Sequence, residues 1–171
     1  MEITSAYANK LLKQLNEEKD YWLKQEASSC TYTATVDEEA VIPDYDYAAV
    51  SEKIAEIDAK ICRIKHAINL ANVTSLISVN GEEMSVDTVL VTMAQLNRRK
   101  EKLDDMRKHL PKQRVESVYA RRMSLTPEYE YVNYDLNLVK ADFEKVSRRI
   151  MDLQMALDIH NQTATFEIGD L

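Results

Sequence analysis

Val50, Ile54, Ile57, Ile61, Ile64 and Ile68 recur at alternating spacings of four and three. An apolar residue roughly every 3.5 positions keeps one narrow stripe facing a partner along a helix, which is the pattern of a coiled-coil seam. A strand cannot use this spacing, because its faces alternate every second residue. A second stretch is as regular: Val132, Leu136, Val139, Phe143, Val146, Ile150, Leu153, Leu157 and His160. A third, Val86, Val89, Met93, Leu96, Leu103 and Leu110, keeps the pattern but puts Lys100 and Arg107 on the seam. The first helix is less even, with Ala8, Leu11, Leu15 and Trp22 on one face.

Two glycines and three prolines in 171 residues argue against a loop-rich or sheet-rich fold. The expectation is therefore a mainly α chain of long antiparallel helices in a coiled-coil-like bundle, with a small β-hairpin or sheet at one end. It is a single domain over 1–171, with helices near 4–26, 47–72, 85–110 and 134–160. Short strands are expected near 31–36, 74–84, 128–133 and 163–168. In the first of these, "TYTATV" alternates, and "EYEYV" in the third sets glutamate against tyrosine.

Asn80-Gly81 is the strongest local signal between helices two and three. A two-residue hairpin turn needs positive φ at both central positions, which Asn-Gly supplies at least cost. Ser85 then stands where an N-cap belongs. "NVTSLISV" (72–79) is echoed by "NQTATFEI" (161–168), each following a seam helix. The echo predicts Asn72 and Asn161 as C-terminal helix caps, with the two tails pairing in one small sheet.

Enzymatic motifs do not emerge. Gly81 and Gly169 cannot build a phosphate-cradling loop, which needs several close backbone approaches. Cys62 and His66 share a helix face, but a zinc site requires three or four ligands. Glu82, Glu83 and Asp87 lack the regular spacing of a calcium loop. No cofactor, metal or catalytic residue is expected. Cys30 and Cys62 form no spaced framework, which predicts reduced thiols in the cytoplasm. No apolar run approaches the ~18 residues needed to span a bilayer.

The net charge of −7 is unevenly spread. Residues 98–122 hold ten Lys or Arg against four acids, whereas 37–58 hold eight acids against one lysine. Arg98, Arg99, Lys102, Lys112, Arg114, Arg121 and Arg122 are the candidate contacts for a polyanion, nucleic acid included, or for a partner. The competing reading sets them against the acidic segment of the same chain or of another subunit, and it is the one the acidic overall balance favours.

The segments "TYTA" (31–34), "IPDYDY" (42–47), "IDAKICRIKHAINLANVTSLI" (57–77), "AQLNRRKEKLDDMR" (94–107), "EYEYVNYD" (128–135) and "ALDIHNQTATFEI" (156–168) together resemble the uncharacterised bacterial septicolysin-like family. That label implies a cytolysin but supplies no catalytic residue to carry over. The residues themselves point instead to a non-enzymatic helical assembly or interaction protein that forms homo-oligomers. A polyanion binder and a lytic protein are the alternatives.

Overall fold

The structure is a computed structural model that describes residues 1–37, 39–115 and 127–169. In chain order the elements are β1 (Glu2–Thr4), α1 (Ser5–Ser29), α2 (Tyr47–Thr74), β2 (Leu76–Val79), β3 (Glu82–Ser85) and α3 (Val86–Met106). Then come β4 (Lys112–Arg114), β5 (Tyr129–Tyr131), α4 (Leu136–Thr163) and β6 (Thr165–Glu167). The chain is mainly helical, and the strands among the described residues form three two-stranded sheets: β1–β6, β2–β3 and β4–β5.

Each helix starts on a side chain that accepts from the first-turn amides. The Thr4 hydroxyl accepts from Tyr7 N at 3.2 Å and the Ser85 hydroxyl from Thr88 N at 3.1 Å. Asp46 accepts from Ala48 N and Ala49 N, and Asp135 from Asn137 N and Leu138 N. Such caps satisfy amides that no earlier carbonyl can reach, and each is worth about 1 kcal/mol.

Two compact units result: Met1–Leu76 with Asp158–Leu171, and Ile77–Leu157. In the first, α1 and α2 run antiparallel, because the start of α1 packs on the end of α2 and Lys19 meets Asp58. Ala8, Leu11, Leu12 and Leu15 pack with Ile64, Ala67 and Ile68, and β1 and β6 add Ile3, Phe166 and Ile168. In the second unit, Val86, Val89, Met93 and Leu96 of α3 pack with Leu153, Ala156 and Leu157 of α4, and β2 and β3 add Ile77, Val79 and Met84.

These two cores are the same core built twice. Ala8, Leu12 and Leu15 have the spacing of Val89, Met93 and Leu96; Ile64, Ala67 and Ile68 have that of Leu153, Ala156 and Leu157. Phe166 and Ile168 match Ile77 and Val79, and Ile3 matches Met84. Each half of the chain opens on a strand and a helix and closes on a helix and a strand, with β4 and β5 inserted between the helices of the second half. The closing strand of each half, however, serves the other half's core. β2, which follows α2, lies on the α3–α4 core, while β6, which follows α4, lies on the α1–α2 core.

This exchange corrects the expected pairing of the two tails. They do not share a sheet: β2 pairs with its hairpin neighbour β3, and β6 runs antiparallel to β1 with Ile3 opposite Phe166. The echo marks equivalent positions rather than partners. Asn72 and Asn161 are also not caps. Both lie inside the last turn of their helices, which continue to Thr74 and Thr163. Those threonines bond back to Leu70 O at 2.9 Å and Ile159 O at 2.7 Å, and the backbone turns extended at Ser75 without a left-handed residue.

The Asn80-Gly81 turn forms as expected, with φ of 55° and 85° at its two residues. Asn80 also donates from Nδ2 to Asp152 at 2.8 Å, tying the turn to α4. The expected strand at 31–36 does not form. Threonine and tyrosine favour strands, but a strand needs a ladder partner, and no strand among the described residues pairs with this segment, which leaves Val36 fully exposed. β1 and β4 exist because β6 and β5 supply theirs.

Helix α3 ends at Met106, short of the expected 110. Its last amides tighten into the turn, with Lys108 N bonding Asp105 O and His109 N bonding Met106 O. That early stop, followed by Pro111, frees Lys112 to begin β4.

Candidate functional site

The described residues of the basic stretch fall into three groups with different surroundings.

Lys100 and Arg107, the cations that interrupt the α3 seam, turn toward Phe143 of α4. The Arg107 guanidinium lies 4.0 Å from the ring centroid and the Lys100 ammonium 5.8 Å. A ring face attracts a cation electrostatically, so a seam can carry charge where it meets an aromatic residue. Asp104 completes this cluster, accepting from Lys108 and from Arg107, whose Nη2 lies 2.6 Å from Oδ1. Hydrogen bonds from Lys108 and then Arg107 hold the Asp104 carboxyl below the ordinary aspartate range.

Arg98, Arg99 and Lys102 form the second group, exposed on the outer side of α3. None of the three pairs with a carboxylate among the described residues. The acidic segment pairs elsewhere: Asp58 with Lys19 of α1 at 2.6 Å and Glu56 with Lys53 one turn away at 2.9 Å. The neighbouring ammonium also lowers the Glu56 carboxyl from its usual range.

The third group lies on the β4–β5 ribbon. Lys112 faces Tyr131, Gln113 faces Glu130 and Arg114 faces Tyr129 in antiparallel register. Alternation sends Lys112, Arg114, Tyr129 and Tyr131 to one face and Gln113, Glu128 and Glu130 to the other. The Lys112 ammonium sits 4.1 Å from the Tyr129 ring centroid and 5.5 Å from that of Tyr131. Both rings stay open to solvent, at 41% and 62% exposure. Arg121 and Arg122, the remaining candidates, lie outside the described residues.

Beside the ribbon is a cleft of about 220 Å³ whose lining includes His109, Gln113, Glu130, Tyr131 and Tyr134. The Tyr134 hydroxyl donates its one proton to Met106 O at 2.8 Å. It must therefore accept from His109 Nδ1, which lies 2.7 Å away and carries the hydrogen. Tyr134 thus clamps the end of α3 to the segment entering α4 and fixes where the ribbon begins. Nothing in the local sequence singles this residue out, since the contact spans the whole ribbon.

The other sequence candidates have structural work. Glu82 meets Arg149 at 2.6 Å, Ser85 caps α3, and Asn80 and Gly81 form the turn. Cys62 and His66 are exposed on α2, and both cysteines are free thiols. Among the described residues, no three His, Cys, Asp or Glu side chains are placed together to hold a metal ion. No helix among them is long and apolar enough to cross a membrane.

No family model and no curated protein matches the sequence. The fold is similar to that in the crystal structure of a functionally unknown conserved protein from Corynebacterium diphtheriae. The TM-score is 0.69 at 11% sequence identity, over 98% of this chain and 100% of that one. At that identity the likeness is one of fold alone.

Proposed function

We propose that this chain, septicolysin-like by its motifs, is a non-enzymatic assembly or interaction protein of the cytoplasm, built as a coiled-coil-like bundle and working as a homo-oligomer. The observation that supports this reading is an apolar row left open among the described residues. Met151, Met155 and Ile159 follow one another at four-residue spacing on α4, with 59%, 59% and 63% of their surfaces exposed. That spacing places them on the side of the helix away from the buried Leu153 and Leu157. Leu70 and Val73 stand equally open near the end of α2, at 58% and 62%. Contiguous exposed apolar side chains mark surfaces that meet other proteins.

Light scattering over a range of concentrations tests the proposal. A dimer or larger species is expected, and the double change Met155→Glu with Ile159→Glu should shift it toward monomer without loss of helicity. A chain that scatters as a monomer at every concentration overturns the reading. Binding of a polyanion is a second reading, favoured by a separate observation on the β4–β5 ribbon.

A further inference from the structure

The β4–β5 ribbon sorts its side chains by charge. Its front carries two cations and two phenol rings; its back carries Gln113 and the carboxylates of Glu128 and Glu130. No acid of the two paired strands alternates to the front face, so that face offers an anion two cations, Lys112 and Arg114. We propose that this front face binds single-stranded nucleic acid, with Tyr129 and Tyr131 stacking on bases while Lys112 and Arg114 hold phosphates. The inference goes beyond the assembly reading and does not depend on it.

Three features select this ligand class. Lys112 is already held 4.1 and 5.5 Å from the two ring centroids, so positive charge and stacking surface lie within one nucleotide's reach. Tyr129 and Tyr131 are 41% and 62% exposed, and every base presents a flat π-face to such rings. Spacing then separates single strands from duplexes. Residues two apart on a strand lie about 7 Å from each other. Successive bases of B-form DNA are stacked at about 3.4 Å. Neighbouring bases can therefore occupy both rings only when they are unstacked from each other, as a single strand allows.

The test uses the full chain and a labelled, mixed-sequence single-stranded oligonucleotide, read by fluorescence anisotropy at several salt concentrations. Binding is expected at low salt, weakening as salt rises. Tyr129→Ala and Tyr131→Ala should each weaken it about fivefold or more, whereas Tyr131→Phe, which keeps the ring, should not. Lys112→Ala should flatten the salt dependence by about one phosphate contact. Gln113→Ala, on the back face, should leave affinity unchanged, and circular dichroism shows that each variant keeps its helices. The proposal is overturned by any of three results: no binding at low salt, equal affinity for a duplex of the same sequence, or affinity indifferent to both ring deletions. Retention on anionic lipid vesicles with no affinity for the oligonucleotide would overturn it too, and would assign the face to a membrane surface.

Discussion

The two units share one core but end in different tips. Around Ile64 in one and Leu153 in the other, side chains of matching spacing close over an antiparallel helix pair and a two-stranded ribbon. At the far end of the helices the likeness stops. Between α1 and α2 the connection is acidic and forms no ladder among its described residues; between α3 and α4 it carries the basic, tyrosine-faced β4–β5 ribbon. A core tolerates only volume-conserving change, because it is packed to crystal density. An exposed connection has no such constraint. The difference between the units therefore gathers where solvent or a partner, rather than packing, decides the residue.

The sharpest test of the shared core is a pair of truncations. Ile64→Ala and Leu153→Ala each remove a side chain with no exposed surface, and each should cost about 3 kcal/mol in urea unfolding. Hydrogen exchange should localise the loss to the first unit in one case and the second in the other. If one change is mild and the other severe, the two positions are not equivalent.

A smaller effect separates the two chain positions that follow β2 and β6. Gly81→Ala forces a Cβ into φ of +85° and should cost about 1–2 kcal/mol. Gly169→Ala meets open space with no positive φ to strain it, and should change stability by less than about 0.5 kcal/mol. Equal costs would mean that the hairpin is not what makes the first glycine necessary.

The smallest contrast is electrostatic and belongs to the second unit's tip. Asp104 has a folded pKa below its unfolded value, so its ion pairs stabilise the end of α3 at pH above the ordinary aspartate range. That contribution falls away as acid carries the pH down through the lowered folded value. Carboxyl chemical shifts followed during acid titration should place Asp104 below the ordinary aspartate range. Asp104→Asn should remove the acid-dependent part of the fraying at Arg107 and Lys108.

Helices were legible in the sequence because seams and caps are local patterns. The 3.5-residue spacing located α2, α3 and α4, and Asn80-Gly81 with Ser85 fixed both the turn and the start of α3. What local pattern could not supply was partnership. "TYTATV" has strand propensity and no strand beside it, while "MEIT" and "KQR" carry weaker signals and do pair. The echo at 72–79 and 161–168 was visible, but its meaning depended on which core each tail would cover. The basic stretch was visible as well. Its division into seam cations on Phe143, open cations on α3 and a charge-sorted ribbon rests on where α3 stops, and that is set by Tyr134 from beyond β5.

The exchange of closing strands also bears on the order in which a growing chain can finish folding. The second unit is contiguous, running from Ile77 to Leu157, so its core is complete once that stretch has been synthesised. The first unit begins at Met1, yet its core includes Phe166 and Ile168, and its β1 stays unpaired until β6 arrives. The unit whose first strand is made earlier is therefore completed later. In the interval an unpaired β1 and an open apolar face on α1 and α2 wait for the C-terminal strand, and that is when this chain is most exposed to aggregation.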